Sequence, residues 1–138
     1  MDPGQQYLCS GMTKVQLAHL NEAGIEKQFA AGTQIVRAGD SADCLYFILS
    51  GEVEVLVDTD AGKQLRLATL GAGTVFGEVD LVNRERRTAN VTATMDSVCL
   101  QVCFDALEDG VKTKMLVNMA SYLASKIQQD TELMHYLG

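Results

Sequence analysis

Between Val75 and Val91 the chain reads VFGEVDLVNRERRTANV. Two acids, Glu78 and Asp80, precede three arginines, Arg84, Arg86 and Arg87. A guanidinium is a planar fork of donors that matches the oxygens of a phosphate. An ionised carboxylate only accepts, so Glu78 suits a pair of hydroxyl donors such as a sugar presents. Gly77 has no Cβ and lets a ligand come close to the backbone. If GEVDL opens a short helical turn, its first N–H groups are unpaired and favour an anion. The stretch therefore describes a receptor for a phosphate with ribose hydroxyls beside it. The plainer alternative is a solvated RERR loop with Glu78 as a surface acid.

The chain as a whole is acidic, with 18 Asp and Glu against 11 Lys and Arg and a net charge of −7. Broad nucleic-acid binding needs a basic face, so the arginine cluster is a local feature aimed at a small anion. The histidines, His19 and His135, have no partner at metal-ligand spacing and are expected at the surface or in helix packing. No Ser-His-Asp or Cys-His arrangement is visible, and no enzyme activity is expected. Cys9, Cys44, Cys99 and Cys103 lack the spacing of a zinc site. Without a signal peptide they are expected to be reduced thiols of a cytoplasmic protein. No apolar run approaches the roughly 20 residues of a membrane span.

The elements that must hold the cluster fall into two kinds. From about Ile25 to Val102 the pattern is that of short strands. Glu52 and Glu54 alternate with Val53, Val55 and Val57, CLYFILS (44–50) is a short apolar run, and TDAGK (59–63) reads as a hairpin turn. Such spacing predicts a sandwich or barrel. MTKVQLAHLNEAGI predicts a short helix before the strands. After Cys103, Leu116, Met119, Leu123, Ile127, Asp130, Leu133 and Leu137 recur in steps of three and four, one face of a long helix. Its apolar stripe is longer than a barrel alone covers, which predicts a parallel homodimer seam through Leu123 and Ile127. The alternative is a helix folded back on its own barrel. A chain of 138 residues has room for one domain. Residues 13–138 are expected to form it, and the aperiodic residues 1–12 to be a flexible arm or a cloning remnant.

FGEVDL, then Arg87 nine residues after Glu78, then Thr88, Ala89 and Val91, resembles the phosphate-binding cassette of cyclic-nucleotide-binding domains. FAAGTQIVRAGDSADCLYFILSGEVEV (29–55) is similar to the first strands of that family, and the likeness extends over about residues 15–137. The resemblance implies a mainly β fold with flanking helices. This is a double-stranded β-helix, or jelly-roll barrel, with an N-terminal helix and a long C-terminal helix. It implies that Glu78 binds the ribose 2′-hydroxyl and that Arg87 pairs with the cyclic phosphate. Backbone N–H groups around Val79, Asp80 and Thr88 meet the phosphate or ribose, and the Thr88 hydroxyl can reach the phosphate. Leu70 and Phe76 line the pocket. The ligand is cAMP or cGMP, with no further cofactor, and the long helix covers the base. By the same resemblance, Asp130 or Thr131 touches the base.

Asp80 departs from the family pattern, in which the residue two after the glutamate is small. Facing inward, its carboxylate would repel the phosphate; facing outward, it would be neutral to binding. Three readings follow. One is a cyclic-nucleotide sensor that relays occupancy to an effector domain, in a longer chain or in trans. Another is a degenerate member that keeps the fold for oligomerisation or docking. The third, a metal-dependent enzyme on a similar barrel, lacks histidine ligands.

Overall fold

The computed structural model describes residues 7–83 and 86–137. A 3-10 turn, Tyr7–Cys9, precedes helix α1, Lys14–Ala23. The strands are β1 Ile25–Phe29, β2 Gln34–Val36, β3 Cys44–Ser50, β4 Glu52–Asp58, β5 Gln64–Gly71, β6 Val75–Phe76, β7 Asn90–Ala93 and β8 Ser97–Cys103. Helix α2, Glu78–Asn83, lies between β6 and β7, and a 3-10 turn, Phe104–Ala106, leads into α3, Asp109–Leu137. All pairings are antiparallel, in two four-stranded sheets ordered β1-β8-β3-β6 and β2-β7-β4-β5. This is the expected jelly-roll architecture with a helix before it and a long helix after it.

The apolar run of β3 has a physical cause. Leu45 and Phe47 point to a core shared with the helices, where Leu8, Leu20, Val102, Val111 and Met115 pack. Tyr46 and Ile48 point the other way, into a second core with Val36, Val53, Phe76, Val91 and Cys99. A strand buried on both faces has no polar side to alternate with. Helix α1 begins where Thr13 and Gln16 form a capping box, the Thr13 hydroxyl accepting from the Gln16 N–H and the Gln16 side chain accepting from the Thr13 N–H. Gly51 turns β3 into β4 at φ +96°, and a Cβ there would stand 2.6 Å from the Ser97 Cα, so a side chain is excluded on two counts.

Two expectations are corrected here. Of the segment expected as a loose arm, Tyr7–Cys9 is packed, with Leu8 and Cys9 buried in the core; residues 1–6 lie outside the described residues. Leu8 supplies an apolar side chain that the core needs, but a lone three-residue turn carries no periodicity to reveal it. Cys44 and Cys103 were expected as reduced thiols, yet they oppose each other in the β3–β8 register and form a disulfide. Their separation of 59 residues hides a pairing that only strand register creates. Cys99 is buried, and burial pushes its thiol up to about 11. His19 has the packing role foreseen: its Nε2 accepts from the Glu108 N–H at 3.0 Å, tying α1 to the entry of α3.

The long helix divides the predicted stripe. Val111, Met115 and Met119 are buried on the barrel, so Met119 does not belong with the outer residues it was grouped with. Leu116, Leu123, Ile127 and Met134 are exposed. The side chains of Leu133 and Leu137 lie outside what is described. Leu116, Ala120, Leu123, Ile127 and Met134 lie at heptad-like spacing on one exposed face of the helix. Among the described residues no helix is long and apolar enough to cross a membrane.

Candidate functional site

The cassette is built from the end of β6, helix α2 and the segment that leads into β7. Gly77 follows β6 at φ +87°, a conformation that L side chains rarely adopt, and turns the chain directly into α2. A Cβ at Gly77 would stand 2.7 Å from Arg87 Nη1. The missing side chain therefore makes room for the guanidinium as well as for the turn.

Arg87 is placed by its backbone. Its N–H donates to the Asp40 carbonyl at 2.8 Å, and its carbonyl accepts from the Gly39 N–H at 2.9 Å. Asn90, buried, accepts the Ala38 N–H at 2.8 Å and extends the same stitching. The turn before β3 thus aims Arg87 inward, leaving the residue 6% exposed in an otherwise acidic chain. Nη1 donates to the Gly77 carbonyl at 2.9 Å, and Nη2 donates to the Cys44 carbonyl. Arg86 is exposed and donates to the Gly39 carbonyl instead. Arg84, expected in the solvated part of the loop, lies outside the described residues.

Glu78 is the first residue of α2, as the sequence implied. Its Oε2 is buried and has no hydrogen-bond partner among the described residues. Burial raises the Glu78 carboxyl above the ordinary carboxylate range, and the nearby Asp80 charge adds to this. The Glu78 backbone N–H, and after it the Tyr7 hydroxyl and Arg87, pull in the opposite direction. The Tyr7 hydroxyl lies close to this carboxylate, and burial, followed by the Glu78 charge, raises the phenol above its ordinary range. Tyr7 also stacks on Tyr122 of α3, with ring centroids 4.7 Å apart. The Asn118 amide donates to the Leu8 and Ser10 carbonyls at 2.7 and 2.9 Å, fastening the turn to the same helix.

Asp80 faces inward. Its Oδ2 is 3.7 Å from Arg87 Nη1, and its Oδ1 accepts from the Thr88 hydroxyl at 3.3 Å. Thr88 is otherwise exposed, as is Val79. Phe76 is buried, stacked on Tyr46 with centroids 4.9 Å apart, and the half-buried Leu70 packs against the same cluster. The structure therefore gathers Gly77, Glu78, Asp80, Arg87 and Thr88 in one place, with Phe76 and Leu70 in the apolar core between the sheets. It leaves Asp130 and Thr131 exposed. They follow Met119, the last described buried residue of α3, by about 16 Å of helix. The sequence reading missed Tyr7 and Tyr122. No spacing links residues so far apart; only the packing of the turn on α3 does. Among the described residues no three His, Cys, Asp or Glu side chains gather as a metal site.

The chain matches a family model described as a cyclic nucleotide-binding domain over residues 26–114. It is 40% identical over 76 residues to the cAMP-dependent protein kinase type II regulatory subunit of Drosophila melanogaster, covering 55% of this chain and 20% of that protein. The structure is similar to the N-terminal domain of a transcriptional regulator from Streptomyces coelicolor, with a TM-score of 0.81 and 26% identity over 91% of this chain and 95% of that one. It is also similar to the regulatory domain of Toxoplasma gondii PKA, solved with cAMP, with a TM-score of 0.73 and 29% identity over 80% and 43% of the two chains. The chain spans 20–28% of the length of several curated relatives.

Proposed function

The chain belongs to the cyclic nucleotide-binding domain family, and from that premise we propose a regulatory module that binds cAMP or cGMP and relays occupancy through its long helix. The observation that carries this reading is the Glu78 Oε2, buried in the cassette with no hydrogen-bond partner among the described residues. Leaving such an acceptor unpaired costs about 1–3 kcal/mol, which a ribose 2′-hydroxyl would recover by donating to it. Arg87 then receives the cyclic phosphate, with the Thr88 hydroxyl beside it. Gly77 and the backbone N–H groups of Val79 and Asp80 frame the ligand, and Leu70 and Phe76 give the pocket its apolar wall. The site asks for a ligand and no further cofactor.

The relay runs through Tyr7. A ribose hydroxyl and the Tyr7 hydroxyl would share one carboxylate, and Tyr7 stacks on Tyr122. A ligand that re-aims Glu78 therefore acts on the contact holding the N-terminal turn to α3. The exposed seam of Leu116, Leu123 and Ile127 joins a second copy in parallel. In that homodimer Asp130 and Thr131 are free to meet a base that their own barrel does not reach. The effector is a further domain of a longer chain or a protein met in trans, in the cytoplasm, and this domain is not itself an enzyme.

A specific observation favours a second reading, a member that keeps the fold without the nucleotide. The Arg87 guanidinium already serves two carbonyls and approaches Asp80. Calorimetric titration with cAMP, cGMP and a cyclic dinucleotide separates the two. Saturable binding of a mononucleotide supports the sensor. Absence of heat, together with an unshifted melting temperature at millimolar ligand, leaves the docking role.

A further inference from the structure

We propose that the Asp80 carboxylate is a tethered stand-in for the ligand's phosphate, so that a cyclic nucleotide enters the cassette only by displacing it. This rests on the reading of the site as a cyclic-nucleotide pocket. A carboxylate and a cyclic phosphodiester each spread one negative charge over two oxygens. Asp80 directs its two oxygens at a cation and a hydroxyl donor, the kinds of partner such a group takes: Oδ2 toward Arg87 Nη1 at 3.7 Å and Oδ1 on the Thr88 hydroxyl at 3.3 Å. Both partners are the side chains that the family's pattern gives to the phosphate. The Asp80 and Arg87 side chains are only 16% and 4% exposed, so the pairing is shielded from solvent. An anion built into the chain competes at a high effective concentration, whatever the level of free ligand.

The geometry also bounds the effect. Charge-assisted contacts close to about 2.7–2.9 Å when tight, so a 3.7 Å approach is a loose pairing. A ligand can break it, but the carboxylate stays on α2 and repels the incoming charge. Asp80 is thus the residue that sets the ligand threshold and selects against negative charge. A neutral nucleoside escapes that selection, a cyclic phosphodiester meets it once, and a doubly charged nucleoside monophosphate meets it most strongly.

The test is calorimetry with cAMP and cGMP on the wild-type protein, Asp80→Ala and Asp80→Asn. Asn keeps the shape of Asp and an oxygen for Thr88 but carries no charge, which covers the case in which Ala disturbs α2. Both variants are expected to bind more tightly, Asp80→Ala by at least tenfold (about 1.4 kcal/mol). Unliganded Asp80→Asn should melt no higher than wild type, because a tethered competitor stabilises the empty domain while it weakens binding. Wild-type binding with equal or weaker binding by both variants overturns the proposal and leaves the cyclic-nucleotide reading standing. Binding by none of the three proteins overturns both.

Discussion

Replacing Arg87 with alanine removes a group that the fold uses and that the proposed ligand would use. The guanidinium donates to the carbonyls of Gly77 and Cys44 and lies beside Asp80. Hydrogen bonds from a charged donor contribute about 1.5–3 kcal/mol each, but water entering the vacated space offsets part of that loss. A net destabilisation of about 2–4 kcal/mol follows, or on the order of 10 °C in melting temperature for a domain of this size. Ligand affinity falls separately, because the phosphate loses its fork: at least tenfold, or about 1.4 kcal/mol. Arg87→Lys keeps the charge without the fork and should fall between wild type and alanine in both measurements. The assay is thermal denaturation without ligand, followed by calorimetry at a temperature where every variant is folded. Arg84→Ala serves as the comparison and should change affinity little. An alanine variant melting within about 2 °C of wild type would refute the structural role. A folded variant that binds as well as wild type would refute the assignment of Arg87 to the phosphate.

Three other expectations follow from the same geometry. Replacing both Leu123 and Ile127 with glutamate should turn a dimer into a folded monomer, read by light scattering at about tens of micromolar protein; a wild-type protein that is already monomeric there refutes the seam. The Glu78 carboxyl is raised in the folded state, so the fold holds a proton that the unfolded chain has released, and stability falls as pH rises from about 4.3 through that raised value. Glu78→Gln should flatten this slope in melting curves from mildly acid to neutral pH while lowering cyclic-nucleotide affinity at least tenfold, and an unchanged slope would show that another group is responsible. Tyr7→Phe keeps the stack on Tyr122 but loses the hydroxyl, so ligand should then alter hydrogen exchange around Tyr122 less than in wild type; an undiminished response would place the relay elsewhere.

Much of the fold was legible in the chain because its signals are local. CLYFILS (44–50) and EVEVLV (52–57) became β3 and β4, TDAGK (59–63) became the hairpin between β4 and β5, and the steps of three and four became α3. The grouping of Glu78 and Arg87 was legible too, since nine residues of chain keep them near one another. Other features required tertiary structure because chain-distant residues make them. Strand register brings Cys44 to Cys103, a pair that the sequence reading, finding no signal peptide, did not expect. The packing of the Tyr7–Cys9 turn on α3 brings Tyr7 to Glu78 and Tyr122. Burial on the barrel separates Met119 from Leu123 and Ile127, although all three lie on a similar helical period. Asp80 shows the difference most plainly: its identity marked a conflict with a phosphate, but sequence could not say which way the carboxylate points. That direction depends on where Arg87 and Thr88 stand. Arg87 is aimed by the Gly39–Asp40 turn more than forty residues earlier in the chain, a contact that exists only once the barrel has closed.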